Sequence, residues 1–322
     1  MLVKVGATLS CTAIFGKPSP PCYNPRTLAP QPTLFNKLVI IGVGLIGGSV
    51  ALAARQAGLV SRIVGVGHAG ENMENALRLG VIDGIEPAEQ AVHDADFVLL
   101  AMPVGQMPQV MAAIAPHLVG HAVVTDAGST KGDVVAAARA NLGDKLPNFV
   151  PGHPIAGAEK SGVLAARAEL FQDKNVVLTP LPETNPTAVQ KTEALWQDCG
   201  AKVSRMSPEA HDKVFAAVSH LPHVLAFALV EEIACRLNAD QLFGFAAGGF
   251  RDFSRIAGSS PEMWRDICLA NRDAMLAELD TYTAQLARIR ALIEASDGVN
   301  LAELFEHARN ARTVWAESQT RK

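Results

Sequence analysis

The run Leu38-Val39-Ile40-Ile41-Gly42-Val43-Gly44-Leu45-Ile46-Gly47-Gly48-Ser49 constrains this chain more than any other stretch. Four branched apolar residues in succession read as a strand buried on both faces, the habit of a parallel sheet. Glycines follow at once in the order G-x-G-x-x-G, and Val50 to Ala57 continue as a helix. Strand before and helix after is the context in which such glycines cradle a dinucleotide; without it they are a structural turn. Gly42 then serves the tight turn, Gly44 the close approach of backbone to a pyrophosphate, and Gly47 the packing of helix on strand. Leu45 and Ile46 lie at the positive end of that helix, where unpaired N–H groups receive phosphates.

Strands and helices go on alternating. Ser61 to Gly67 reads as the second strand, Glu71 to Leu79 as a helix, Asp96 to Pro103 as a strand, Val104 to Ala115 as a helix and Ala122 to Asp126 as a strand. A short strand then leads into the loop Asn148 to Gly162, and Val176–Thr179 and Lys202–Met206 read as the last strands of the sheet. The pattern predicts an α/β fold, a right-handed, doubly wound Rossmann-type sheet. Ligands of such sheets collect at the carboxyl ends of the strands, so Met102, Pro103, Ser129 and the 148–162 loop should share one crevice. An NAD site usually carries a carboxylate about 20 residues past the glycines. Here that count lands on Gly67, followed by His68, and no acidic residue precedes Glu71. NAD and NADP therefore both stay open as cofactor, with His68 or Arg62 placed to meet a 2′-phosphate.

The strand pattern stops at Ser207. Pro208–Cys235, Asp240–Phe245, Pro261–Ser296 and Asn300–Ser318 all read as helix, and Ser207-Pro208-Glu209 and Ser260-Pro261-Glu262 are serine-capped starts. Helices this long cannot each bury an apolar stripe on one small domain, which predicts a helical domain shared between two subunits, a homodimer. The expected organisation is a flexible leader over 1–36, a dinucleotide-binding domain over 37–206 and a helical substrate and dimerisation domain over 207–322. The leader has six prolines and no acidic residue, and it lacks the apolar core of a targeting peptide. A net charge of −4 and aromatic content of 5% argue against a nucleic-acid partner and for a small-molecule substrate. Five scattered cysteines without a C-x-x-C pair point to free thiols, a reducing compartment and a cytoplasmic protein. No apolar run reaches the roughly 18 residues a membrane span needs, so no membrane partner is expected.

Chemistry-bearing residues concentrate in three places. His153 lies in the glycine-rich loop, Ser129 follows a strand end, and Ser219-His220-Leu221-Pro222-His223 enters from the helical part. Arg251 and Arg255 are candidate carboxylate clamps, because a planar guanidinium makes two parallel charge-assisted bonds. His220 and His223 have metal-like spacing, but Pro222 and the absence of nearby carboxylates argue against a metal. The segments Gly44-Leu45-Ile46-Gly47-Gly48-Ser49, Gly152-His153-Pro154-Ile155-Ala156-Gly157, Glu159-Lys160-Ser161-Gly162, Ser219 to His223, Asp252-Phe253-Ser254-Arg255-Ile256-Ala257 and Trp264-Arg265-Asp266 occur in one order. Together they resemble the prephenate dehydrogenase family from about Lys37 to Arg290.

That resemblance implies oxidative decarboxylation of prephenate, arogenate or both with NAD or NADP, on the route to tyrosine. It implies that His153 accepts the substrate hydroxyl proton, a task for which imidazole, with its pKa near 6.5, is suited. Ser129 would lie near the same hydroxyl, and Ser219, His223 and Arg255 around the substrate carboxylates, with His220 beside them. Glu159 and Asp252 would form a gating ion-pair network, and Gly248 and Gly249 a turn reaching the neighbouring subunit's site. His211 matches a family position as well, or simply caps a helix. Two rivals are a β-hydroxyacid dehydrogenase, which would rest on a lysine such as Lys213, and a nucleotide-sensing regulator without turnover.

Overall fold

The computed structural model describes residues 33–158 and 160–320. The proposed leader up to Pro32, with Cys11 and Cys22, and the proposed gating residue Glu159 lie outside the described residues. The chain runs β1 (Phe35–Ile41), α1 (Leu45–Gln56), β2 (Val60–Val66), α2 (Glu71–Arg78), β3 (Gly84–Ile85), α3 (Ala88–Ala91), β4 (Phe97–Leu100), α4 (Met107–Ile114), β5 (Val123–Asp126), α5 (Gly132–Asn141) and β6 (Phe149–Val150). These six strands form one parallel sheet in the order β3-β2-β1-β4-β5-β6. That is the doubly wound, Rossmann-type arrangement the alternation predicts.

Period-two alternation sends the strand residues to opposite faces. Leu38, Ile40, Ile63, Phe97 and Leu99 pack with α1 in one core, whereas Val39, Ile41, Val64, Val98 and Leu100 pack with α4 and α5 in the other. Each of these ten side chains is fully or nearly fully buried, and each such burial stabilises the fold by about 1.5–3 kcal/mol. A sheet covered on both sides leaves the carboxyl ends of its strands as the open place for a ligand.

The last strands depart from expectation. β7 (Gly152–Pro154), β8 (Asn175–Leu178) and, after α6 (Pro186–Asp198), β9 (Lys202–Arg205) make a separate three-stranded sheet, with β7 antiparallel to β8. Val176–Thr179 and Lys202–Met206 therefore do not extend the main sheet. Pro151 has no N–H to donate to a ladder, and directly after it the Gly152 N–H turns to the Asp126 carboxylate at 3.0 Å. His153 thus sits on a strand and not in a loop.

The helical part comprises α7 (Pro208–Phe215), α8 (Leu221–Ala234), α9 (Ala239–Gly244), α10 (Gly248–Ser254), α11 (Pro261–Ala270), α12 (Arg272–Glu294) and α13 (Gly298–Thr320). Ser207 and Ser260 cap α7 and α11, accepting from the N–H groups of Ala210 and Met263. Three readings need correction here. The segment Pro261–Ser296 is two helices broken at Asn271, whose side chain is used elsewhere. Gly248 and Gly249 open helix α10 instead of forming a free turn. Helices α7 and α8 join through a π-helical turn, Ala216–His220, into 27 residues whose most apolar 18-residue window has a mean hydropathy of 1.6. Against the expectation above, one helix among the described residues is therefore long and apolar enough to cross a membrane by length and composition. Only 28% of its most apolar window is buried within one chain.

Candidate active site

The glycine fingerprint has the geometry its spacing predicts. Gly42 sits at φ +96°, and a Cβ there would lie 2.7 Å from the Ala101 carbonyl carbon. A Cβ on Gly47 would lie 2.3 Å from the Gly42 oxygen and 2.7 Å from Ile40 Cγ2, so the helix approaches the strand as closely as backbone permits. At Gly44 the same test meets nothing within 4 Å: its backbone faces open space. No side chain caps α1 and no acidic residue occupies its first turn, which leaves its N–H groups and positive end for an anion. A dinucleotide pyrophosphate fits this cradle. Asn72, which the sequence reading passes over, braces it by donating to the Val43 carbonyl at 2.7 Å and accepting from the Val163 N–H at 2.8 Å.

Beside it, at the carboxyl ends of β4 and β5, lie half-buried Met102 and Ser129 with exposed Pro103. His68 is exposed just past β2. Between β5 and β7 runs a fully buried ion pair, Lys131 with Asp126. Lys131 Nζ also donates to the Gly152 carbonyl at 2.8 Å, and Asp126 accepts from the Gly128 N–H at 2.8 Å. Burial pushes the Asp126 carboxyl up, while the Lys131 ammonium and the two N–H donors pull it back. The pair ties the end of β5 to the residue preceding His153. A carboxylate closing a buried strand with a lysine five residues on is the signal that marks it.

The π turn brings the helical segment's histidines to this point. His211 and Phe215 lie on α7 ahead of the π turn and His220 closes it, one residue later than regular α-helical spacing from Phe215 would bring round. His153 Nδ1 lies 2.9 Å from His211 Nε2, and His211 Nδ1 lies 2.8 Å from Asp212 Oδ1. The Asp212 carboxylate also accepts from the backbone N–H groups of Lys131 at 2.8 Å and Gly132 at 2.7 Å, capping α5 from a distant helix. Burial would raise the Asp212 carboxyl, but these three hydrogen bonds outweigh it and hold it below its ordinary value. His153 is forced well below the usual imidazole range by burial first, then by the charge of Lys131 and by His211 and His220. His211 is lowered by burial, with Asp212 opposing.

His220 is 1% exposed. Its Nδ1 lies 3.2 Å from the Asn271 amide nitrogen, which also donates to the Asp212 main-chain carbonyl at 2.8 Å. Burial lowers the His220 imidazole to about 4, against the pull of Asp212. His220 Nε2 is buried without a hydrogen-bond partner among the described residues. His223 donates to the Ser219 carbonyl at 2.9 Å and stacks on Trp264 at 3.7 Å. Its imidazole is lowered by burial and by the Arg255 guanidinium, which places Arg255 beside it. Asp252 and Arg251 are exposed on α10, and Gly248 is half-buried at its start. Lys213 is exposed on α7.

A Rossmann-type dinucleotide cradle facing a pocket of neutral histidines and an arginine defines the chain as an NAD(P)-dependent oxidoreductase. Its relatives narrow the class. Residues 50–205 match the prephenate dehydrogenase nucleotide-binding domain family and residues 207–307 the prephenate dehydrogenase dimerization domain family. The chain belongs to the prephenate dehydrogenase family. It is 40% identical to prephenate dehydrogenase of Bacillus subtilis over 278 residues, 85% of this chain and 75% of that one. It is 39% identical to cyclohexadienyl dehydrogenase of Zymomonas mobilis over 288 residues, 87% and 96% of the two chains. Prephenate dehydrogenase of A. aeolicus, solved in complex with hydroxyphenyl propionate and NAD+, superposes with a TM-score of 0.81 at 38% identity, covering 86% of this chain and 97% of that one.

Proposed function

We propose that the chain oxidises and decarboxylates prephenate or arogenate in tyrosine biosynthesis, with His153 as the base. The observation that carries this is the state of His153: a neutral imidazole, one nitrogen held by His211, the other without a partner among the described residues, at the carboxyl edge of the sheet. The dinucleotide, held by Gly42, Gly44, Leu45, Ile46 and Gly47, supplies the hydride acceptor when bound. The substrate ring loses hydride from the hydroxyl-bearing carbon and carbon dioxide from the opposite carbon, and aromaticity drives both losses. His153 takes the hydroxyl proton, and Ser129 steadies the same oxygen. His220, Ser219, His223 and Arg255 hold the carboxylates, a role for which a dry pocket with a guanidinium at its rim is suited. Glu159 and Asp252 form the gate, and Met102 and Pro103 line the nicotinamide side. The absence of a carboxylate at the end of β2 and the exposed His68 leave room for NADP beside NAD.

Residues 37–206 form the nucleotide domain and residues 207–322 the substrate and dimerisation domain. The apolar surface that α7, α8 and the later helices expose is covered by a second copy of the chain in a homodimer, and the protein works in the cytoplasm without membrane or nucleic-acid partners. The exposed position of Lys213 disfavours the β-hydroxyacid dehydrogenase reading. The test is absorbance at the reduced-cofactor band with prephenate and arogenate, each with NAD and NADP. A rise in at least one pairing is expected, and no rise in any of the four refutes the assignment.

A further inference from the structure

We infer that Asp212 is a positioning hub that sets opposite tautomers on two histidines of the site, through its carboxylate and His211 on His153, and through its main-chain carbonyl and Asn271 on His220. The first branch follows from donor and acceptor counting. The Asp212 carboxylate only accepts, so the His211 nitrogen facing it at 2.8 Å, Nδ1, carries the proton. Neutral His211 then presents a lone pair at Nε2, and His153 Nδ1, 2.9 Å away, must be the donor. His153 is left with a bare lone pair at Nε2, the proton-accepting form.

The second branch gives the reverse result. The Asp212 carbonyl accepts from the Asn271 amide nitrogen, which fixes that amide's orientation. The same nitrogen faces His220 Nδ1, so Nδ1 is the acceptor and Nε2 carries the proton. That N–H is buried and makes no hydrogen bond among the described residues, with the Ser129 main chain as its nearby acceptor, so a ligand oxygen would satisfy it. One residue thus prepares a proton acceptor and a proton donor in one pocket. Its carboxylate also caps α5, so both settings are referenced to the sheet.

The inference rests on the proposed reaction for its kinetic consequences, while its spectroscopic test stands apart from turnover. Long-range 1H–15N correlation on histidine-labelled apo-protein near neutral pH is expected to show His153 protonated at Nδ1 and His220 at Nε2. The opposite tautomer at either overturns the inference. His211→Gln keeps an acceptor near the Nε2 position, whereas His211→Leu keeps only volume. Leu is expected to lower kcat about 100-fold with little change in KM, and Gln to stay within about 10-fold of the parent. Equal activities for the two would reduce His211 to packing. Asn271→Asp turns the donor into an acceptor and is expected to move the His220 proton to Nδ1 and raise substrate KM about 10-fold, leaving cofactor KM unchanged. An unmoved proton overturns the second branch even where His211→Leu fails to fold. Should the parent protein turn over neither substrate, the function assigned above falls, while the tautomers are still read.

Discussion

Replacing Lys131 by Met tests how much of the site's order rests on one buried charge. Met has nearly the same length and no branch, so the change removes an ammonium and little volume. Asp126 would be left fully buried, still bound by the N–H groups of Gly128 and Gly152, with its compensating cation gone. Removing one member of such a pair costs about 3–5 kcal/mol, because the remaining charge must stay desolvated or take up a proton. Against a typical total of about 5–15 kcal/mol, that is about a fifth or more of the fold's stability. The Gly152 carbonyl loses its partner in the same step, and Gly152 is the residue that aims His153. Urea unfolding at one fixed protein concentration measures the loss as a fall in midpoint at unchanged slope. The double variant Asp126→Asn, Lys131→Met removes both charges and should be more stable than Lys131→Met alone, by the logic of a double-mutant cycle. A single variant within about 1 kcal/mol of the parent, or a double variant worse than the single, would falsify the account of this pair.

Three further outcomes are expected. Gly47→Ala places a methyl 2.3 Å from the Gly42 carbonyl and 2.7 Å from Ile40, so α1 must shift at about 1–3 kcal/mol, read as a lower thermal midpoint and weaker cofactor binding; an unchanged midpoint removes the close-approach argument. Acidification should destabilise the protein between pH 6.5 and about 4: below 6.5 the unfolded chain protonates His220 while the folded one, with its imidazole lowered to about 4, does not, so the unfolded state binds more protons and stability falls by about 3 kcal/mol across the window. Urea midpoints over that range should fall less steeply in His220→Gln, and parallel slopes would count against the buried neutral histidine. His153→Asn should lower turnover by about 100-fold or more with cofactor affinity, read by fluorescence quenching, unchanged; equal losses in both would make His153 a scaffold residue.

What the sequence discloses about this fold is what repeats locally. Leu38 to Gly47 carries its own context, a buried run, a turn and a helix, and each glycine's task follows from its place. The small second sheet carries no such mark, because Gly152–Pro154 is three residues long and contains a proline. The break at Asn271 is equally silent: one polar residue in a long helical pattern is no terminator by propensity. It ends a helix here because its amide is held by the Asp212 carbonyl and faces His220.

The site divides along the same line. The proposed base can be picked out from a histidine among glycines at the predicted edge of a sheet, but its state cannot, since that is set by partners 58 and 22 residues away, His211 and Lys131. The separation of roles also explains how four histidines in one small pocket can differ in chemical character. Burial keeps all of them neutral, and the cation of Lys131 adds to that for His153 and His211. Neutral imidazoles are asymmetric, so each can be made a donor or an acceptor by whatever touches its far nitrogen. The information that turns a cluster of like residues into distinct chemical groups therefore resides in their neighbours, Asp212, Asn271 and the Ser219 carbonyl.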